Sequence, residues 1–220
     1  MNIRNLTWTA ILCALTGPWT LADDRQLASS KSAAAAQPAA PAAEGQRVAL
    51  FDGKSLDGWS VVTCDAAVDE GEILIKAGNG LVQTRRKYGN YVLEFDWKAL
   101  GADKWDSGVY FRYDTVPAKR PWPDRYQVNL RQGMEGNLVG VKGAESKGLI
   151  QAGQWNRFKL TVRGTHAELE INGKSAWKTD ALEGLTEGYV ALQAEVPGGG
   201  QHRFRNLYLT PLEAMSESVK

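Results

Sequence analysis

The sequence has little of what metal or thiol chemistry requires, with two histidines and two cysteines among 220 residues. His166 and His202 fall on separate predicted strands, without a cysteine or carboxylate at ligand spacing, so they do not make a zinc site. A catalytic thiol would need a histidine partner, and we interpret Cys64 as a small apolar residue near a strand end. Cys13 lies in the N-terminal apolar segment, so the remaining chain has one cysteine and no internal disulfide.

An excess of charge and long apolar runs are also missing. The 26 basic residues are balanced by 25 acidic ones, so no basic field is present that could hold a nucleic-acid backbone. Beyond the N-terminal segment, no stretch approaches the about 20 apolar residues of a membrane-spanning helix. A phosphate-binding loop is absent too, because Gly198-Gly199-Gly200 is not followed by the lysine and helix of that motif. We therefore expect neither a nucleic-acid partner nor a spanning helix in the rest of the chain.

Residues 1–22 have the order of a secretory signal peptide. Arg4 supplies a positive charge, residues 6–15 are apolar, and Thr20-Leu21-Ala22 forms a small-x-small cleavage site. The alternative is a membrane anchor, for which the apolar run is only about half the needed length. We predict an exported protein, periplasmic or extracellular, with no membrane span after signal cleavage.

Residues 23–47 predict a disordered linker rich in alanine and proline. Residues 28–45 contain no large apolar side chain to offset the entropy of ordering, and Pro38 and Pro41 interrupt any long helix. The alternative is a short alanine-driven helix, which would be marginal alone. A folded domain then spans residues 48–212, and residues 213–220 form a C-terminal tail.

From Val48 onward the pattern is that of β-strands. Residues 91–98 alternate apolar and charged side chains with period two, and Asn172-Gly173 joins two such runs as a hairpin turn. Further strands are predicted at residues 72–76, 107–113, 125–131, 155–163, 166–171, 188–194 and 203–209. Without a sustained helical period, this indicates an all-β fold, a two-sheet antiparallel β-sandwich or a barrel. In a sandwich the outer face of one sheet is available to a ligand.

Several segments resemble, in order, the 3-keto-disaccharide hydrolase family, also described as a 3-keto-glucoside 1,2-lyase and 3-keto-2-hydroxy-glucal hydratase domain. LFDGKSLDGW at residues 50–59 is similar to that family's LFNGKDLSGW, and SGVYFR at residues 107–112 to its SGIFLR. GQWN at residues 153–156, GYVALQ at 188–193 and FRNL at 204–207 resemble GEWN, GYIGLQ and the start of FRNIRI. The ordered set covers essentially residues 48–212.

The resemblance implies a jelly roll of the concanavalin A-like lectin/glucanase superfamily and a carbohydrate substrate oxidised to a ketone at C3. Such a ketone acidifies the neighbouring C2 hydrogen, so a base can remove it and the C1 substituent can leave from the enolate. The site then needs a base, a group that stabilises the enolate oxygen and an acid for the departing oxygen. Addition of water to the product completes a net hydrolysis.

Two positions depart from the family pattern: Gln127, where the family often has Glu, and Ala194-Glu195, where it often has Asp-His. Glu195 can act as a base, whereas Gln127 cannot. We expect Glu195 to be the base, Arg112 to stabilise the enolate oxygen, and Gln127 with Asn129 to orient hydroxyls. Alternation along each strand groups the polar residues proposed for catalysis or substrate binding on three strand faces. One face carries Tyr110, Arg112 and Asp114, the second carries Gln127, Asn129 and Arg131, and the third carries Gln193 and Glu195. The alternative is that Arg112 and Asp114 form an ordinary ion pair and Glu195 is a solvated loop residue.

Trp105 and Trp122 are predicted in loops among glycine, charged residues and proline. Exposed loop aromatics of this kind stack on sugar rings, and the alternative is that both rings pack structurally. A non-catalytic carbohydrate-binding module on the same sandwich would use these two residues with Arg112, Gln127 and Asn129. An envelope interaction domain is a third function that the fold permits.

No cofactor is indicated. A sandwich of this kind is compatible with a bound Ca²⁺ ion, but no cluster of acidic residues requires one.

Overall fold

A computed structural model describes residue 43 and residues 45–213. The predicted signal peptide (1–22), most of the predicted linker (23–47) and most of the predicted tail (213–220) lie outside the described residues. Within the part described, no helix has both the length and the apolar character needed to cross a membrane.

Twelve strands and one short helix make up the regular structure of residues 45–213. In chain order they are β1 (Val48–Ala49), β2 (Trp59–Asp69), β3 (Glu72–Thr84), β4 (Tyr91–Ala99), β5 (Gly108–Tyr113), β6 (Gln127–Asn129), β7 (Leu138–Val139), β8 (Asn156–Arg163), β9 (His166–Ile171), β10 (Lys174–Thr179), β11 (Tyr189–Glu195), α1 (Val196–Gly199) and β12 (His202–Pro211). The prediction of an all-β chain is confirmed.

The strands form one antiparallel sheet that curls into two layers, in the order β10-β9-β8-β4-β12-β3-β11-β5-β6-β7. Strand β3 belongs to both layers, because residues 73–75 pair with β12 whereas residues 79–83 pair with β11. Strand β1 pairs with β12, and β2 pairs with β3. The predicted two-sheet antiparallel sandwich is therefore confirmed: its first layer runs from β10 to β12 in this order, its second layer runs from β11 to β7, and β3 connects them.

Period-two alternation places the apolar faces of the two layers against each other. In β8 the buried apolar side chains are Phe158, Leu160 and Val162, and the residues between them point outward. The ring of Phe95 in β4 stacks on Phe158 with the centroids 4.8 Å apart. Each large apolar side chain buried in this way contributes about 1.5–3 kcal/mol of stability, so packing between the layers stabilises the sandwich.

The long strand β2 was missed by the sequence analysis. It carries few large apolar residues, and its register with β3 shifts between Val62 and Cys64 and again between Asp65 and Ala66. Thr63, within the first of these bulges, has a φ of 54°. Such bulges interrupt the alternation of faces, and without that alternation the sequence gives no strand signal.

His202 lies at the start of β12 and is fully buried. Its Nε2–H donates to the carbonyl oxygens of Asp106 and Gly199, each at 3.0 Å, and its Nδ1 accepts from the indole of Trp97 at 3.2 Å. This arrangement requires a neutral ring with its proton on Nε2. Burial lowers the pKa of His202 to about 4, because charging a desolvated imidazole is costly.

This burial predicts an acid-sensitive fold. The folded ring has a lower pKa than an unfolded one, so the unfolded chain binds more protons between pH 6.5 and about 4. The free energy of unfolding should therefore fall by about 2 kcal/mol as the pH is lowered from about 7 to 5, measured by urea denaturation. His202→Gln should flatten this slope. His166→Gln, at the half-buried histidine that pairs with Asp180, keeps His202 and should retain the slope. An unchanged slope in His202→Gln would contradict the assignment.

Candidate functional site

The outer surface of the second layer carries a polar patch, called here the β11 face. It is formed by Gln193 and Glu195 of β11, Tyr110 of β5, and Gln127 and Asn129 of β6. Cross-strand pairing sets this grouping: Tyr110 lies opposite both Ala191 and Gln127, and Gly108 lies opposite Asn129. The alternate residues of the same strands, including Val109, Val128 and Leu192, point into the core. The structure thus brings together these five of the residues proposed from the sequence.

A chain of hydrogen bonds crosses the β11 face and ends on Glu195. The side-chain NH₂ of Gln127 donates to Oε1 of Gln193, and the NH₂ of Gln193 donates to Oε2 of Glu195 at 2.6 Å. An ionised carboxylate can only accept hydrogen bonds, so the charge on Glu195 dictates the orientation of both amides. Oε1 of Gln127 is then left at the end of the chain as an acceptor for a ligand hydroxyl.

Gly108 makes this chain possible. A Cβ at this position would lie 2.0 Å from Nε2 of Gln127 and 2.7 Å from its Cγ. Any other residue here would therefore occupy the path that the Gln127 side chain takes across β5 to Gln193. Close approach of this kind is one reason for glycine inside a strand.

Glu195 ends β11 and is partly buried, so it is not the solvated loop residue of the alternative interpretation. Its pKa is raised, first by burial and then by the negative charge of Asp106, against the lowering effects of the Gln193 hydrogen bond and Arg131. A carboxylate whose pKa is raised is, in its ionised form, a stronger base than an exposed one. The electrostatics therefore suit a general base.

Asp106 was missed by the sequence analysis. It stands two residues before Gly108 in extended chain, and the same parity that placed Tyr110 on the β11 face would have found it. Its side chain is 23% exposed, and Nε of Arg131 lies 3.6 Å from its Oδ2. Burial raises the pKa of Asp106, and Arg131 lowers it. The Arg131 side chain is 63% exposed, so solvent screens this ion pair.

Tyr110 and Trp122 form the apolar part of the β11 face. Tyr110 is 6% exposed, and burial raises the pKa of its phenol, so the O–H stays protonated at neutral pH. Trp122, in the loop after β5, packs against the cluster that includes Tyr110, Leu81 and Ala191. Its indole N–H donates to the carbonyl of Ala194 at 3.1 Å, which holds a partly exposed aromatic ring beside Glu195.

Trp105 is buried and is not an exposed loop aromatic. It is 5% exposed, belongs to the core between the layers, and donates from its indole N–H to Oε1 of Glu135 at 2.9 Å. The polar residues around it in sequence point outward while the ring turns inward. The prediction of an exposed stacking residue at Trp105 is therefore wrong.

Arg112 and Asp114 do not share a face with Tyr110, contrary to the parity prediction. Arg112 has a φ of 51°, and the pairing of β5 with β11 shifts register beside it. This bulge brings Tyr113, in place of Arg112, next to Tyr110, with ring centroids 6.2 Å apart. The Arg112 guanidinium instead donates to the carbonyl of Gly164 and to Oδ1 of Asn90.

Asp114 is exposed and lies 4.0 Å from Nζ of Lys87. The ordinary Arg112–Asp114 ion pair considered from the sequence is therefore not formed either.

A surface cavity of about 280 Å³ borders this end of β5, lined by residues 112–117, 123–126 and 183–185. Among residues 45–213, no group of three or more His, Cys, Asp or Glu side chains is arranged to hold a metal ion.

The family model of the 3-keto-alpha-glucoside-1,2-lyase-like domain matches residues 46–210. Among curated proteins, no match was found.

Solved structures share the fold. A candidate glycosyl hydrolase from Parabacteroides distasonis superposes with a TM-score of 0.62 at 19% identity, over 76% of this chain and 94% of that one. The carbohydrate-binding module CBM66 from Bacillus subtilis gives 0.53 at 16% identity, over 68% and 93%, and a Bacillus licheniformis β-glucanase gives 0.52 at 9%, over 79% and 100%. These identities are low enough that the likeness shows the fold alone, the concanavalin A-like jelly roll.

The hydrogen bond from Gln193 to Glu195 gives a testable prediction. Gln193→Leu removes a donor that stabilises the charged carboxylate, so the pKa of Glu195 should rise further above its ordinary value. An NMR titration of the Glu195 side-chain carboxyl measures this shift. Gln154→Leu, at an exposed glutamine in the turn before β8, is the matched control and should leave the titration unchanged. A lowered or unaltered Glu195 pKa in Gln193→Leu would refute the orienting role of this amide.

Proposed function

The chain belongs to the 3-keto-alpha-glucoside-1,2-lyase-like domain family, and on this premise we propose that it is an exported enzyme that cleaves 3-keto-glycosides by elimination. The family is carbohydrate-active and the fold is a β-sandwich, and both the export and the reaction are proposed. The observation that carries it is Glu195, a partly buried carboxylate with a raised pKa, oriented by Gln193 among largely buried polar side chains. Export is supported by the signal-like order of residues 1–22.

The reaction needs no redox cofactor, because the substrate already carries the ketone. Glu195 takes the C2 proton, and the electrons of that C–H bond move toward the C3 oxygen as an enolate. The enolate then expels the C1 oxygen, which leaves an enone with a C1–C2 double bond. The departing oxygen takes a proton from solvent and is released as an alcohol, and Glu195 returns the C2 proton to solvent. Water added across that double bond returns a 3-keto sugar, so the sum is a hydrolysis.

The other groups of the β11 face supply binding and charge stabilisation. Oε1 of Gln127 accepts from one sugar hydroxyl. Asn129 uses Oδ1 to accept from the backbone N–H of Arg131 at 2.8 Å, which leaves its NH₂ as a donor. The protonated phenol of Tyr110 and the Arg131 guanidinium are the donors available to the enolate oxygen, the role that the sequence analysis gave to Arg112. Trp122 offers an aromatic surface to the sugar ring.

A second candidate function is a non-catalytic carbohydrate-binding module. The observation that favours it is Gln127, a neutral amide where the family often has a glutamate that could act as a base. In that case the same amides, Trp122 and Asn129 would bind sugar, and Glu195 would accept hydrogen bonds from hydroxyls without abstracting a proton.

Turnover of oxidised sugars tests the proposal. Purified protein should release the aglycone from 3-keto-trehalose and from a chromogenic 3-keto-glucoside, above the rate without protein. Glu195→Gln should lower kcat by about 10²- to 10⁴-fold, the usual contribution of a general base. In the unaltered protein, kcat/KM should fall as the pH drops below the Glu195 pKa, because the protonated carboxyl cannot accept the C2 proton.

The control is Glu187→Gln, an exposed glutamate before β11, which should retain full activity. Binding of 3-keto-glycosides without turnover would overturn the enzymatic proposal and support the binding module. Failure to bind any glycan would contradict both functions.

A further inference from the structure

Asn79 of β3 lies beside the proposed base, although neither the sequence analysis nor the proposed reaction has used it. In the antiparallel pair of β3 and β11, Asn79 is directly opposite Glu195, just as Leu81 is opposite Gln193. Residues opposite each other in such a pair project from the same face, with Cβ atoms about 4.5–5.5 Å apart. Asn79 therefore borders the β11 face on the side of β3, next to Glu195.

The side-chain amide of Asn79 is available to a ligand. The residue is exposed, whereas the three amides of the β11 face, Gln127, Asn129 and Gln193, are buried. The Asn79 side chain has no hydrogen-bond partner among residues 45–213. Its NH₂ group carries two donors, and either can turn to a bound ligand without breaking a contact within the protein.

A bulge in the pairing of β2 with β3 fixes the backbone at this position. Asn79 and Gly80 of β3 together oppose the single residue Thr63 of β2. Thr63 has a φ of 54°, a strained value for a β-branched residue, and its hydroxyl donates to the Asn79 carbonyl at 2.9 Å. Strain of this kind persists only where the surrounding structure holds it, typically at functional sites. Bulges beside active sites serve to direct a side chain.

Glycines on both sides of Asn79 permit the bulge. A Cβ at Gly80 would lie 2.0 Å from the carbonyl oxygen of Val62 and 2.6 Å from Oγ1 of Thr63. Gly78 has a φ of 84°, which glycine adopts without strain. The two strands can therefore approach this closely, and Asn79 is the one residue of the Gly-Asn-Gly segment that presents a side chain.

Negative charge develops next to Glu195 during the elimination. The ketone oxygen is on C3, the carbon next to C2, so it must lie beside the base that takes the C2 proton. Strand β11 lies between β3 and β5. On the β5 side the negative charge of Asp106 acts on Glu195 and would repel an enolate oxygen. On the β3 side the neighbour is the neutral amide of Asn79.

Tyr110, a donor already considered for this oxygen, starts from a more distant position. It lies opposite Ala191, four residues from Glu195 and so about 13 Å away along β11. The register thus makes Asn79 the nearer donor on the sheet.

We infer that Asn79 is a catalytic residue whose side-chain NH₂ donates to the C3 oxygen and stabilises the enolate. This inference rests on the proposed elimination. The C2–H bond breaks, its proton goes to Glu195, and its electron pair forms a C2–C3 double bond as the charge moves to the C3 oxygen. When the C1–O bond breaks, the C3 carbonyl re-forms. Asn79 keeps both of its amide protons and acts only as a donor where charge develops.

Replacement of Asn79 in the full chain tests this role with 4-nitrophenyl 3-keto-glucoside, in both anomers. Because 4-nitrophenolate leaves readily, turnover then reports formation of the enolate. Asn79→Ala should lower kcat by about 10²- to 10³-fold, the usual loss for one oxyanion donor, with little change in KM. Asn79→Asp keeps the shape but puts a negative charge in place of the donor, so its loss should be larger. Gln154→Ala, at an exposed amide before β8, is the control and should keep full turnover.

Hydrogen exchange separates enolate stabilisation from sugar binding. The ketone 1,5-anhydro-3-keto-glucitol has no leaving group at C1, so the enzyme can only exchange its C2 hydrogen with D₂O, which proton NMR follows. The C4 hydrogen, on the other side of the ketone, reports uncatalysed exchange. Asn79→Ala should slow C2 exchange by about the same factor as turnover, and an unaltered midpoint of thermal unfolding would show that the variant is folded.

Three results would overturn the enolate role of Asn79 while leaving the elimination intact: an unchanged kcat in Asn79→Ala, a rise in KM alone, or C2 exchange as fast as in the unaltered protein. A rise in KM alone marks binding that is equal in the ground state and the transition state. If the unaltered protein showed neither turnover nor C2 exchange, the proposed function itself would be overturned.

Discussion

The buried, neutral imidazole of His202 connects the apolar interior of the sandwich to its polar face. One nitrogen accepts from Trp97 in the first layer, and the other donates to Asp106 and Gly199 beside the second. The ring can do this only while uncharged, because a protonated Nδ1 would face the indole donor. The position of the segment before β5, and of the turn after Glu195, therefore depends on the desolvation that keeps His202 neutral.

Charged side chains are usually solvated, but two carboxyl groups at the β11 face are partly buried. Glu195 and Asp106 are partly withdrawn from water and close enough to affect each other, an arrangement that costs stability and that a purely structural surface would not need. Two glycines make it geometrically possible. Gly108 lets Gln127 cross β5, and Gly199 lets the chain of Asp106 meet the turn. The Gln127–Gln193–Glu195 chain then gives the carboxylate a defined orientation, as a base or as a ligand for hydroxyls requires.

Part of the candidate site could be predicted from strand parity. Regular stretches of β5, β6 and β11 carry the five predicted residues of the β11 face, so alternate residues there face the same way. These residues are Tyr110, Gln127, Asn129, Gln193 and Glu195. The same rule failed at Arg112, since the bulge there shifts the register with β11 and turns the guanidinium toward Gly164 and Asn90. Trp105 shows a second limit. Its ring was predicted to be exposed because polar residues flank it in the sequence, but the ring is buried in the core between the layers.

The sequence by itself determined the all-β class, the hairpin at Asn172-Gly173, the alternation that builds the core, and the family, because all of these depend on local spacing and ordered motifs. The tertiary structure alone decided that the charge of Asp106 acts on Glu195 and that His202 hydrogen-bonds to the carbonyls of both Asp106 and Gly199. Those residues are about 90 positions apart, and their approach follows from how β3, β11 and β5 pair across the sheet. Contacts over such distances arise from packing and register, which no local pattern encodes.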